Sequence, residues 1–168
     1  MTSASGRARQ AQSSQQVIAA LQDALAAEQA ASYGYGVVGA HLPQGSAEQG
    51  AATTDWIAHM RARDELTAMI SARGGQPVPA AVAYQLPEPV QTAAAATALA
   101  ALLEDRVAQA YLAVVALPDG GLRSFAAQQV RAAAVRAAAW SGATQAFPGL
   151  SATSLRAVGG QTTGQISR

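Results

Sequence analysis

Proline decides the layout of this chain. All seven prolines fall in four places: Pro43, the segment from Pro77 to Pro89, Pro118 and Pro148. A proline inside a helix removes a hydrogen bond and clashes with the preceding turn, so long helices fit only between these points. The intervening stretches are filled with alanine, leucine, arginine and glutamine, which all favour helix. Four helical segments are therefore expected, at about Ser14 to His41, Ser46 to Arg73, Val90 to Leu117 and Leu122 to Ala146. Ser13 with Gln16 and Ser46 with Gln49 have the spacing of capping boxes. Gly74-Gly75, Pro118-Asp119-Gly120-Gly121 and Phe147-Pro148-Gly149 supply the stops. The fold class is all-α.

The connections run short, long, short. That order suits an antiparallel four-helix bundle of the ferritin-like kind, two hairpins joined by one long crossover loop between the second and third helices. The crossover, residues 74–89, is too rich in proline and glycine for a helix. Val78, Val82, Tyr84 and Leu86 are expected to lie extended against the bundle. Residues 1–13 are polar and small and are expected to be a disordered terminus. Residues 151–168 read as a flexible glycine-, serine- and threonine-rich tail, which leaves 14–150 as the bundle.

Composition removes several classes of function. There is no cysteine, so a disulfide scaffold, a thiol nucleophile and a thiolate metal site are excluded. A net charge of +1 argues against a nucleic-acid partner, which would need a basic stripe. The sequence holds no apolar run of about 18 residues, which points to no membrane partner and a cytoplasmic protein. With only two histidines, a Ser-His-Asp set is not credible. His41, at the end of the first segment, complements the helix dipole. Gly34, Gly36 and Gly39 follow no strand, so they are not a phosphate loop. Inside a helix they permit close approach of another helix, in the bundle or in a second copy.

The informative residues are the polar ones on apolar stripes. Ile18, Leu21, Leu25, Glu28, Ser32, Tyr35 and Gly39 share one face of the first helix. Ala52, Trp56, His59, Arg63, Leu66 and Ile70 make the stripe of the second. Leu103, Glu104, Val107, Tyr111, Val114 and Val115 make the third. The fourth turns Phe125, Val130, Ala133, Ala137 and Trp140 inward. Glu28 and Glu104 are each followed seven residues later by a tyrosine, Tyr35 and Tyr111, an echo that a pseudo-two-fold bundle would show. A carboxylate in a bundle core is costly unless paired, protonated or metal-bound. Three readings are open. Glu28, His59 and Glu104 could ligate a single iron or manganese ion. Arg63, with Arg131 or Arg136, could neutralise the glutamates in a buried network with His59, Tyr35 and Tyr111. Either glutamate could instead snorkel to the bundle edge.

Four stretches carry a family resemblance: AAEQAASYGYG (Ala26 to Gly36), AHMRARDEL (Ala58 to Leu66), LLEDRVAQAYL (Leu102 to Leu112) and AFPGL (Ala146 to Leu150). They resemble the ferritin-like superfamily and, within it, a small actinobacterial family of ferritin-like domains of unknown function. The resemblance to di-iron members implies inward glutamates on the first and third helices, matched by Glu28 and Glu104. It also implies Glu-x-x-His on the second and fourth. Trp56 stands three residues before His59, and the fourth helix has neither an acidic residue nor a histidine. Two iron ions need more carboxylate charge than this. The expectation is a degenerate di-iron site with no cofactor and no catalysis, in a bundle serving as an interaction module or homodimer. The competing reading is a metal-binding protein or oxidoreductase using Glu28, His59 and Glu104.

Overall fold

The computed structural model describes residues 2–145 and 148–150. It contains four helices, α1 (Thr2–His41), α2 (Ala47–Ala72), α3 (Ala93–Val115) and α4 (Gly120–Ser141), and no strand among the described residues. Side chains set most of the ends. Ser46 caps α2 by accepting from the Gln49 amide, while the Gln49 side chain accepts from the Gly45 amide. Thr92 caps α3 through the Ala95 amide, and Asp119 caps α4 through the Leu122 amide. Gly74 closes α2 with a φ of 75°, and the Gly75 amide bonds back to the Ile70 carbonyl. That is a Schellman end, in which only glycine takes the left-handed position without strain.

Two ends differ from the expectation. α1 begins at Thr2, so Ser13 is not a cap and residues 2–13 are helical. Nothing in that stretch breaks a helix, since it is proline-free and rich in alanine, glutamine and arginine. Gly6, Arg7 and residues 9–16 are exposed, so this part of α1 is a solvated extension beyond the core. α4 stops at Ser141 because Gly142 turns left-handed with a φ of 69°. The tail at 151–168 lies outside the described residues.

α1 packs against both α2 and α3, and α3 packs against α4. Two apolar clusters fill the interior. One gathers Leu21, Leu25, Leu66, Ile70, Tyr111, Val114 and Ala126. The other gathers Tyr35, Val38, Leu42, Ala52, Leu99, Leu103 and Trp140. Each fully buried aliphatic side chain contributes roughly 1.5–3 kcal/mol. Glu28, His59 and Glu104 fall where one cluster gives way to the other, and all three are buried. Gly34 allows Leu103 of α3 to lie against α1, since a Cβ there would sit 2.6 Å from Leu103 Cδ1. Gly36 and Gly39 have no such neighbour.

Residues 73–92 form the long connection, and its middle is tied to α1. Gln22 donates to the Gln76 carbonyl at 2.6 Å and accepts from the Val78 amide at 3.0 Å. Gln29 donates to the Val78 carbonyl, and Tyr84 stacks obliquely on Tyr33. Glutamine side chains of α1 hold the backbone of the strap here, and further along Leu86 and Val90 pack against the second apolar cluster. Val78 lies against α1 through its carbonyl and amide, which leaves its side chain exposed, and contrary to expectation Val82 is exposed too. No helix among the described residues is long and apolar enough to cross a membrane.

At the far end, Gly149 has a φ of 78°, and a Cβ there would meet the Gln109 amide nitrogen at 2.7 Å. Backbone cannot move aside cheaply. Gly149→Ala is expected to cost about 1–3 kcal/mol in urea denaturation, the range for a strained φ in a crowded place. Gly36→Ala, with open space around it, is expected to be neutral or slightly stabilising.

Candidate functional site

The core of the site is one imidazole between two carboxylates. His59 Nδ1 donates to Glu28 Oε2 at 2.7 Å and Nε2 donates to Glu104 Oε1 at 2.9 Å. Both ring nitrogens can donate only in the imidazolium form. The tyrosines close the ends crosswise: Tyr111 donates to Glu28 Oε1 at 2.9 Å, and Tyr35 donates to Glu104 Oε1 at 2.6 Å. Each tyrosine serves the glutamate of the other helix. Two antiparallel helices bearing the same seven-residue spacing must cross in this way. Arg136 of α4 adds a third donor to Glu104 Oε1, through Nε at 2.8 Å. Glu104 Oε2 is buried and has no partner among the described residues.

Charge balances inside the network, with Glu28 and Glu104 against His59 and Arg136. Burial alone would depress the His59 pKa, but its bonds to Glu104 and Glu28, and their charges, push it up to about 9. Burial alone would raise Glu104, yet His59 and Arg136 hold it below the usual carboxylate range. Burial beside a carboxylate pushes both tyrosines far above ordinary phenols, so they remain neutral donors. The network extends to Asp55 of α2 and Trp140 of α4. Trp140 Nε1 donates to Asp55 Oδ2 at 2.9 Å, and the Tyr35 hydroxyl lies 3.4 Å from the same oxygen. Half-burial pushes Asp55 up, and the Trp140 bond and the Arg136 charge offset this only in part.

The structure joins the expected partners except Arg63. Glu28, His59, Glu104, Tyr35 and Tyr111 form one network, whereas Arg63 does not reach it. Arg63 lies near the surface and pairs with Asp64 at 2.7 Å. The arginine that enters is Arg136, while Arg131 is exposed. The buried face of α2 carries Ala52, His59, Ala62, Leu66 and Ile70. Trp56 and Arg63 lie beside it, where Asp55 and Ala62 turn inward. Asp55, four residues before His59, and Trp140, four after Arg136, share faces with those groups; that spacing was the available signal.

The donor set does not fit the metal that a di-iron resemblance implies. His59 spends both nitrogens on carboxylates held at opposite edges of its ring, so no lone pair and no common apex remain for an ion. Among the described residues, no group of three or more histidine, aspartate or glutamate side chains is arranged to hold one.

Linkage gives the pH dependence. The His59 pKa of about 9 lies above the ordinary 6.5, so its contribution is complete below about pH 6.5 and fades as pH rises through 9. Glu104, held below 4.5, contributes above that pH, and its contribution is lost as pH falls through its lowered pKa. Thermal melting is expected to show greatest stability between these limits and an alkaline decline that is absent in His59→Gln. That variant should lose roughly 3–5 kcal/mol, because it strands buried charge. Arg136→Ala should also cost several times more than Arg63→Ala, for which about 0.5 kcal/mol or less is expected in denaturant titration.

Comparison with known proteins places the chain in a family. No match is found among curated proteins. A crystal structure of a conserved hypothetical protein from Mycobacterium tuberculosis superposes with a TM-score of 0.72 at 39% sequence identity, covering 76% of this chain and 96% of that one. Residues 20–152, which include Glu28, His59, Glu104 and Arg136, match the family described as a domain of unknown function (DUF4439). The chain is a member of the DUF4439 domain family.

Proposed function

We propose that this protein is a ferritin-like four-helix bundle in which an ion-pair and tyrosine network occupies the position of a di-iron centre, and that it acts as a non-catalytic interaction or dimerisation module. The observation that carries this reading is the use of both His59 nitrogens on Glu28 and Glu104. Arg136 supports it as well. A di-iron bundle draws a carboxylate and a histidine from its fourth helix, whereas α4 supplies a cation. The short, long, short connections between the four helices favour the ferritin-like arrangement. A pre-neutralised core has no charge to offer a metal, and its bonds fix the register of α1, α2 and α3. Trp56 and Ile57, neighbouring exposed apolar residues on α2, are the favoured contact between copies.

One observation favours the second reading, a metal-binding protein or oxidoreductase at Glu28, His59 and Glu104 holding one iron or manganese ion. Glu104 Oε2 is a buried carboxylate oxygen without a partner among the described residues. The two readings separate by experiment. Protein purified from cells supplied with iron and manganese should contain no stoichiometric metal, and a chelator should leave its Tm unchanged. About one ion per chain, lost in His59→Ala, would establish the second reading instead. Sedimentation at micromolar concentration should show a dimer that Trp56→Glu dissociates; a wild-type monomer would remove the dimer role.

A further inference from the structure

α2 and α4 are not among the closely packed helix pairs, which are α1 with α2, α1 with α3 and α3 with α4. The reason lies in the side chains along the seam. Ala47 and Ala51 of α2 and Ala139 of α4 are too short to fill it, and a cleft of about 570 Å³ remains, open to solvent. Small-molecule sites fall in the range of roughly 300–1,000 Å³. Three charged side chains line this cleft, Glu48 and Asp55 from α2 and Arg136 from α4, with Trp140 and Val135 beside them.

Each charged group has bonding capacity to spare. Among the described residues, Arg136 hydrogen-bonds only through Nε, to Glu104. Its two terminal amino groups form a planar fork, which matches a carboxylate. Asp55 receives Trp140 and the longer Tyr35 contact on Oδ2, and among the described residues no hydrogen bond reaches Oδ1. Glu48 is exposed at the mouth, seven residues before Asp55 on the same helix, hence about 10 Å away along its axis. A purely anionic ligand would meet two carboxylates, and a purely cationic one would meet the guanidinium. Two cations and one anion on a short aliphatic body complement the lining.

We propose that the α2–α4 cleft binds a free α-amino acid with a cationic side chain. Its carboxylate sits on the Arg136 fork, its α-ammonium on Asp55 and its distal cation on Glu48. The methylenes between lie against Ala51, Val135 and Ala139. An ammonium beside Asp55 relieves the cost of its burial, which Trp140 and Arg136 offset only in part. The Tyr35 hydroxyl, in contact with both Asp55 and Glu104, joins this cleft to the buried network.

Calorimetric titration of the full chain with three probes tests the proposal: L-lysine, norleucine (no distal ammonium) and 1,5-diaminopentane (no carboxylate). Lysine is expected to bind, and each of the others to bind about tenfold more weakly, the effect of losing one charged hydrogen bond. Glu48→Gln, at an exposed position, should bring lysine down to the norleucine level and leave norleucine unchanged. Asp55→Asn, with folding checked by its melting curve, should weaken lysine and norleucine alike. Three results would each overturn the proposal. They are no saturable heat with lysine up to about 10 mM, ten times a millimolar Kd; diaminopentane binding as tightly as lysine; or lysine affinity unchanged in Glu48→Gln.

Discussion

A protonated imidazole held between two carboxylates is the interaction around which this bundle is built. Alone, any of the three groups would be expelled from an interior this apolar. Together with Arg136 they are neutral, and the tyrosine hydroxyls occupy lone pairs that would otherwise face hydrocarbon. The bonds run from α1 to α2, from α2 to α3 and from α3 to α4, so one small cluster ties all four helices. Apolar packing is tolerant of sliding, and alanine-rich helices offer few large side chains to prevent it. A cluster whose partners must meet within hydrogen-bond distance supplies the register that the alanines do not. Such polar networks are high-stakes, since the same low dielectric strengthens them when satisfied and penalises them when broken.

The crossed tyrosines show how symmetry enters. Glu28 and Tyr35 on α1 and Glu104 and Tyr111 on α3 carry the same spacing, and the antiparallel contact exchanges the tyrosines. The halves then diverge at α2 and α4. α2 gives His59 to the axis, while α4 gives Arg136 from the side and only to Glu104. Glu104 Oε1 accordingly accepts three donors, and the two oxygens of Glu28 accept one each. Unequal halves of a repeated plan leave the α2–α4 seam free to differ from the others, and there the cleft opens.

Much of this could be read before any coordinates. Helix number, the position of the long connection and the inward placement of Glu28, His59, Glu104, Tyr35 and Tyr111 follow from proline positions and a 3.6-residue period. The misplaced residues of α2 share one cause. On α2 the stripe chosen through Trp56 and Arg63 differs by one position from the one through Asp55 and Ala62, and side-chain character favoured the first. A tryptophan looks internal and an aspartate external, yet Asp55 is drawn in by a tryptophan on another helix. Arg63 and Arg136 are alike in one dimension. Arg63 lies beside the buried face of α2, where it pairs with the adjacent Asp64. The polarity of residues 2–13 reads as disorder, yet with no proline in the stretch the helix continues through it.

Among the ties that hold the strap between α2 and α3 is one side chain that behaves like backbone. The Gln22 carboxamide offers an N–H to one strap carbonyl and an oxygen to an amide two residues on. It stands in for a peptide unit of a neighbouring strand. Because donor and acceptor lie on one rigid plane, the two bonds form or break as a pair. The loop is thus buttoned to α1 at a discrete position: one residue either way, the Gln22 oxygen would face the nitrogen of Pro77 or Pro79, which carries no hydrogen.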